Sequence, residues 1–156
     1  MLLETESVTK LALIHGSTWF VNSLVFTAVL TMIFIANIYM LKRPLKSAAP
    51  AFIALLASLA LNYFVGIEFF LGKSWFAENV ASSAVVFLPI AFAGLIFASS
   101  FRKSRQPAFD LSSNLLGIIS GGIAEYASLS YGYNFLLILV AGMYIAAMAF
   151  IPRRDA

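Results

Sequence analysis

Two carboxylate side chains lie inside apolar stretches of this sequence, where ionisable groups are costly. Glu68 follows Gly66-Ile67, and Glu125 follows the stretch Gly121-Gly122-Ile123-Ala124. An ionised side chain at the centre of a membrane helix costs roughly 2.5–3.5 kcal/mol on insertion scales, so each carboxylate is by default a functional hypothesis. A carboxylate at such a depth can bind a cation or a proton, or hydrogen-bond to a neighbouring helix.

Further polar side chains are expected at the depth of these two carboxylates, in the outer half of a membrane. If the helices that carry them pack as a bundle, they form a polar pocket. The predicted pocket consists of Glu125, Glu68, His15, Asn22 and Tyr126. A second interpretation stays open, because both glutamates lie within about two helical turns of the end of an apolar stretch. There a carboxylate can reach the water between lipid headgroups, and its role is interfacial or structural.

The composition places these residues in a membrane protein. The chain has 156 residues, of which 62% are hydrophobic and only 11% are charged, and its mean hydropathy is +0.93. Soluble domains are usually about 45–50% apolar and about 25% charged. The composition therefore argues against a secreted disulfide scaffold, a disordered tail and a nucleic-acid-binding module. With no cysteine and one histidine, thiolate nucleophiles and thiolate or multi-histidine metal sites are excluded, and no cofactor is expected.

Five apolar segments are long enough, or nearly so, to cross a bilayer as helices, which takes about 20 residues. They cover residues 17–41, 51–71, 80–101, 112–130 and 133–151. The segments lack the alternation of polar and apolar residues that a membrane β-barrel requires. The sequence predicts an all-α protein, a polytopic bundle of five transmembrane helices in a single transmembrane domain.

The basic residues predict the orientation of this bundle. Eight of the ten follow the first, third and fifth segments, whereas only Lys10 and Lys73 fall on the other side. Because cytoplasmic loops are enriched in Lys and Arg, the N-terminus is expected outside and the C-terminus in the cytoplasm. The predicted location is the cell membrane, inner or plasma, with several passes.

The fourth segment carries a pattern of small residues that suggests helix packing. Gly117 and Gly121 are four residues apart and lie on one helix face, where another helix can approach closely. Asn114, Gly122 and Glu125 fall near this stripe. The pattern predicts a helix contact and favours an inward orientation of Glu125. Elsewhere, we expect Asn37 and Asn62 to form hydrogen bonds between helices.

Three parts of the chain resemble a known family. They are Leu2-Leu3-Glu4-Thr5 with Gly16-Ser17-Thr18-Trp19, the segment 88–97, and Ser113-Asn114-Leu115-Leu116-Gly117 with Glu125-Tyr126. Together they resemble the membrane region of spermidine-synthase-like polytopic proteins. The resemblance implies helices similar to those of the major facilitator superfamily. In that family a further membrane helix precedes the first part and a Rossmann-like synthase domain is attached; neither is expected in this chain. No catalytic or cofactor residue is implied.

Two functions follow from these observations. The first is a non-catalytic membrane subunit or scaffold, whose partners are the lipid bilayer and either other membrane proteins or further copies of this chain. The second is a small transporter-like domain that handles a cationic, polyamine-like metabolite through Glu68 and Glu125. An enzyme has little support, because the sequence contains no nucleotide loop, metalloprotease motif or nucleophile elbow. No nucleic acid is expected as a partner.

Overall fold

The computed structural model is helical and contains no strand over the residues it describes, which are 1–16, 19–42, 47–66, 69–70 and 81–150. The all-α prediction is therefore confirmed for this part of the chain. In order, the helices are α1 (Leu2–His15), α2 (Trp19–Lys42), α3 (Ala49–Phe64), α4 (Ser82–Arg102), α5 (Pro107–Glu125), α6 (Ala127–Tyr131) and α7 (Asn134–Phe150).

Each predicted apolar segment corresponds to helical structure, with differences at the ends. The helix α5 begins at Pro107, before the predicted start at residue 112, because a proline suits the first position of a helix. The predicted fourth segment is divided at Tyr126 into α5 and the short α6. The helix α3 ends at Phe64, whereas the sequence predicted a segment reaching residue 71. Glu68 lies outside the described residues.

The helix α1 was not predicted; the orientation predicted from the basic residues places Lys10 on the outer side of the membrane. Its 14 residues span about 21 Å and pack against α2, α4, α5 and α7. Its buried residues recur at helical spacing on one side: Leu2, Glu6, Ser7, Lys10 and Leu11. Glu6 and Lys10 therefore lie inside the bundle, not among solvated charges.

The core of the bundle forms around α4, which packs along both α2 and α3. One cluster of buried side chains joins the N-terminal end of α1 to α3, α4 and α7; it includes Leu2, Leu55, Ile96 and Leu137. A second cluster joins the C-terminal end of α1 to α2 and α4; it includes Leu11, Val25, Phe87 and Ile90.

The helices α2 and α4 run in the same direction. Val25 and Phe87, near their N-terminal ends, share a cluster, and the Arg102 guanidinium at the end of α4 donates a hydrogen bond to the carbonyl of Met40 near the end of α2. A Cβ atom at Gly94 would lie 3.5 Å from the Cβ of Ala36, so Gly94 allows these two helices to approach closely.

Candidate functional site

The most deeply buried charges of the described chain form a polar cluster of Glu6, Lys10 and Asn62. Glu6 and Lys10 are four residues apart on α1 and so project from the same side of that helix. Asn62 lies near the C-terminal end of α3. All three residues are only 1% exposed. Buried charges of this kind persist only when they are paired.

Lys10 connects α1 to the end of α3. Its Nζ atom lies 2.6 Å from Oε1 of Glu6 and donates hydrogen bonds to the main-chain oxygen of Asn62 at 3.0 Å and to its Oδ1 at 2.5 Å. The carbonyls of the last helical turn have no intrahelical partner, and the C-terminal end of a helix carries partial negative charge. The ammonium group thus satisfies a carbonyl of α3 as well as the carboxylate of Glu6. The ring of Tyr133 lies over Lys10, with its centroid 6.0 Å from Nζ.

Asn62 also connects α3 to α4, as the sequence predicted for this residue. Its Nδ2 group donates a long hydrogen bond of 3.5 Å to the carbonyl of Val85. In a regular helix that carbonyl accepts from the residue four positions later, which here is Pro89 and has no N–H. The proline frees a carbonyl in the bundle, and the asparagine of the neighbouring helix supplies the missing donor.

The carboxylate of Glu6 is less well satisfied than the ammonium group of Lys10. Its Oε1 atom lies 2.6 Å from the Lys10 ammonium, which keeps a third N–H for it beside the two hydrogen bonds to Asn62, whereas Oε2 is buried without a hydrogen-bond partner among the described residues. Burial raises the pKa of the Glu6 carboxyl above its ordinary value, and the nearby Lys10 opposes this rise without cancelling it.

The structure describes the side chains of only three of the five residues in the predicted polar pocket. Glu125 ends α5, is half-buried, and has one oxygen, Oε1, that is buried without a hydrogen-bond partner in the described chain. Tyr126 is 73% exposed and Asn22 is exposed on α2. The side chain of His15, like the whole of Glu68, lies outside the described part. The pocket as a set therefore stays a prediction.

The glycine stripe of α5 makes a close contact at one of its positions. A Cβ atom at Gly121 would lie 3.7 Å from the Cβ of Met1, at the start of α1. Gly117 and Gly122 would meet nothing within 4 Å, and Asn114 is half-buried. Gly121 thus lies against α1, while Gly117 faces open space.

The remainder of α5 presents apolar side chains outward. Gly121 is its only buried residue, and α5 packs against α1 and α6 at the edge of the bundle. Phe109, Leu116 and Ile123 are each 68–70% exposed. These apolar side chains lie outward along the helix, interrupted by exposed serines, and nothing lies within 4 Å of a Cβ at Gly117.

The sequence did not predict the polar cluster, because the orientation inferred from the basic residues places Lys10 among the outer charges. The sequence does contain a signal for this cluster. Glu6 and Lys10 carry opposite charges at positions i and i+4, so they can neutralise each other, and they are flanked by Leu2, Leu3 and Leu11. No family model matches the chain, and neither a curated protein nor a solved structure matches it.

Proposed function

We propose that this chain is a non-catalytic, multi-pass membrane subunit that packs against another membrane protein through α5. The observation that carries the proposal is the exposed apolar surface of α5, in which Gly117 leaves room for the close approach of a second helix. Helix association in membranes depends on small residues at such positions. The resemblance to spermidine-synthase-like membrane regions agrees with a helical unit that works beside other domains.

The membrane assignment rests first on α2 and α4, which are long and apolar enough to cross a bilayer. Most of their surface is not buried inside the bundle, unlike that of a core helix in a soluble protein. Shorter apolar helices, α3 and α7, accompany them. The 17 residues of α7 reach about 25 Å, slightly less than the roughly 30 Å hydrocarbon core. In the proposed arrangement all five predicted segments cross the plasma membrane.

The proposed orientation places Lys42 and Arg102 in the cytoplasm and the start of α2 outside. It is supported by the parallel course of α2 and α4, whose basic ends meet where Arg102 bonds to Met40. Single cysteines at Ser47 and Ser104 should resist an impermeant thiol reagent in intact cells, whereas one at Ser130 should react. Since the chain has no cysteine of its own, the labelling is unambiguous. Equal labelling of Ser104 and Ser130 would contradict the five-segment arrangement.

The subunit proposal is tested with Gly117→Leu. Because nothing lies within 4 Å of a Cβ at this position, the substitution leaves the chain's own fold intact but blocks a close helix partner. Gly142→Leu on α7 is the matched control, since it too adds a side chain where nothing lies within 4 Å. We expect Gly117→Leu, and not Gly142→Leu, to lower the mass of the complex purified in mild detergent. A wild-type chain that purifies as a monomer would refute the proposal.

A second candidate function is transport or binding of an organic cation. It is favoured by the buried Oε1 atom of Glu125, which accepts no hydrogen bond in the described chain. On this view Glu125→Gln abolishes cation uptake into proteoliposomes while leaving assembly unchanged. Lys10 already neutralises Glu6, whereas Glu125 has no ion pair among the described residues.

A further inference from the structure

An open groove of about 320 Å³ runs along the last two turns of α2, on an outward side of the bundle. It is lined by Ile35, Ile38, Tyr39 and Lys42. These residues recur at helical spacing, so they share one face of the helix over about 10 Å. The buried side chains of this part of α2, Ala36 and Met40, lie on the side toward α4.

The groove is apolar along most of its length and cationic at one end. Ile35 and Ile38 are 55% and 37% exposed, so both present hydrocarbon to the surroundings. Lys42, in the last turn of α2, is exposed and forms neither a hydrogen bond nor an ion pair with another described residue. Tyr39 adds a hydroxyl that can donate a hydrogen bond. This order of groups matches a ligand with a hydrocarbon chain and an anionic head.

The charge around Lys42 is favourable for an anion. The C-terminal end of a helix carries partial negative charge, but at the end of α2 the Arg102 guanidinium donates a hydrogen bond to the Met40 carbonyl. Arg105 follows closely after α4. Asp110 belongs to α5, which packs against α1 and α6 at the edge of the bundle. An anionic group beside Lys42 therefore meets mainly positive charge.

We propose that this groove binds an anionic phospholipid of the cytoplasmic leaflet. One acyl chain lies against Ile35 and Ile38, and the phosphate lies at Lys42. Basic residues at the cytoplasmic ends of membrane helices attract anionic headgroups in this way. The site is on α2 and is separate from the α5 surface of the proposed subunit; the two proposals share only the membrane orientation.

A protein partner fits this groove less well than a lipid, because it would bring charge of the same sign. A second copy related by a two-fold axis along the membrane normal would place its own Lys42 toward this one. Other membrane proteins also carry an excess of Lys and Arg at their cytoplasmic ends. Juxtaposed like charges disfavour both arrangements, whereas the phosphate of a lipid supplies the opposite charge.

Native mass spectrometry of the full chain in detergent tests the proposal with two lipids of equal acyl chains, phosphatidylglycerol and phosphatidylcholine. Both contain a phosphate, but the choline group cancels the net charge of the second headgroup. We expect phosphatidylglycerol to bind about fivefold more tightly, the effect of one basic residue near an anionic lipid. Equal affinities of the wild-type chain for the two lipids would overturn the proposal.

Two pairs of variants assign the binding to the groove. Lys42→Gln should remove the preference for phosphatidylglycerol, whereas Arg105→Gln, which removes a charge at the same end but outside the groove, should keep it. Ile38→Trp fills the groove and should weaken the binding of both lipids severalfold. Ile145→Trp, at an exposed position of α7, is its control and should leave binding unchanged.

The same variants can contradict the proposal in two ways. An equal loss of preference in Lys42→Gln and Arg105→Gln would show a diffuse attraction to the basic end of the bundle. Unchanged binding in Ile38→Trp would show that the acyl chain lies elsewhere. Either result overturns the lipid site and leaves the test of α5 with Gly117→Leu unaffected, because that test measures the mass of a protein complex.

Discussion

The helices α1 and α5 lie in contact, and each reverses the distribution of side chains expected in water. In α1, Glu6 and Lys10 are buried at the centre of the packing. In α5, apolar side chains such as Leu116 and Ile123 face outward, and Gly121 alone is buried. The two helices meet where Gly121 approaches Met1.

The contrast is explained if the surroundings of the bundle are lipid. Apolar side chains gain little by leaving lipid for the protein interior, so α5 has no hydrophobic reason to be covered. Charged side chains gain from internal partners that lipid cannot supply, so α1 turns Glu6 and Lys10 inward. The burial of Glu6 and Lys10 thus follows their need for polar partners. Variants of the two helices and of their contacts test this difference between α1 and α5.

Loss of Lys10 should have the largest effect, because it leaves Glu6 buried without a cation. Lys10→Met is expected to lower the free energy of unfolding by about 3–5 kcal/mol near neutral pH. The matched double variant, Glu6→Gln with Lys10→Met, removes both charges and should recover most of this loss. Thermal unfolding in detergent, followed by circular dichroism, measures both. If the double variant is as unstable as Lys10→Met, the loss does not come from the unpaired charge of Glu6.

Replacement of Asn62 should have the next largest effect. Asn62→Ala removes an acceptor from Lys10 and the donor to the Val85 carbonyl, so we expect a loss of about 1–3 kcal/mol. Asn37→Ala is the control, because Asn37 is exposed on α2 and its replacement should change stability by less than about 0.5 kcal/mol.

The effect of Pro89 on the hydrogen bond from Asn62 to the Val85 carbonyl can be measured by the same thermal unfolding in detergent. Pro89→Ala restores an N–H that can reach the Val85 carbonyl, so Asn62→Ala should cost less in that background than in the wild type. Equal costs in the two backgrounds would mean that the bond from Asn62 to Val85 contributes nothing.

The sequence predicted the apolar helices well because their signal is local. Long runs such as those of α2 and α4 identify helices without knowledge of their neighbours. The predicted role of Asn62 between helices also holds. The end of α3 at Phe64 and the division of α5 from α6 at Tyr126 were not foreseen, since each depends on geometry at a helix end rather than on composition.

The candidate site was harder to predict because it joins distant residues. Lys10 and Asn62 are 52 positions apart, and nothing local to either indicates the other. The predicted orientation counts Lys10 as an outer charge, although the i, i+4 spacing of Glu6 and Lys10 allows them to neutralise each other. Glu125, identified from its depth in an apolar segment, has one oxygen that is buried without a hydrogen-bond partner among the described residues. Whether Glu125 belongs to a pocket depends on how the helices pack against each other. That packing cannot be read from a single sequence.

The smallest expected effect concerns the contact between the two helices. At Gly121 a Cβ atom would lie 3.7 Å from the Cβ of Met1, an ordinary van der Waals distance. Gly121→Ala should therefore be tolerated, and the better helix propensity of alanine should offset any crowding. Gly121→Leu extends beyond that distance and must displace the start of α1, so a loss of about 1 kcal/mol is expected. Gly122→Leu, whose Cβ meets nothing within 4 Å, is the matched control and should leave stability unchanged.

Unfolding in detergent of these three variants decides whether α1 and α5 depend on each other. If only Gly121→Leu lowers the stability, the two helices contact each other at Met1. The outward surface of α5 would then contribute little to the stability of the chain itself. Equal stability of Gly121→Leu and Gly122→Leu would show that α5 is held by its connection to α6 and not by α1. In that case the burial of α1 depends on its polar cluster and on α2, α4 and α7 alone.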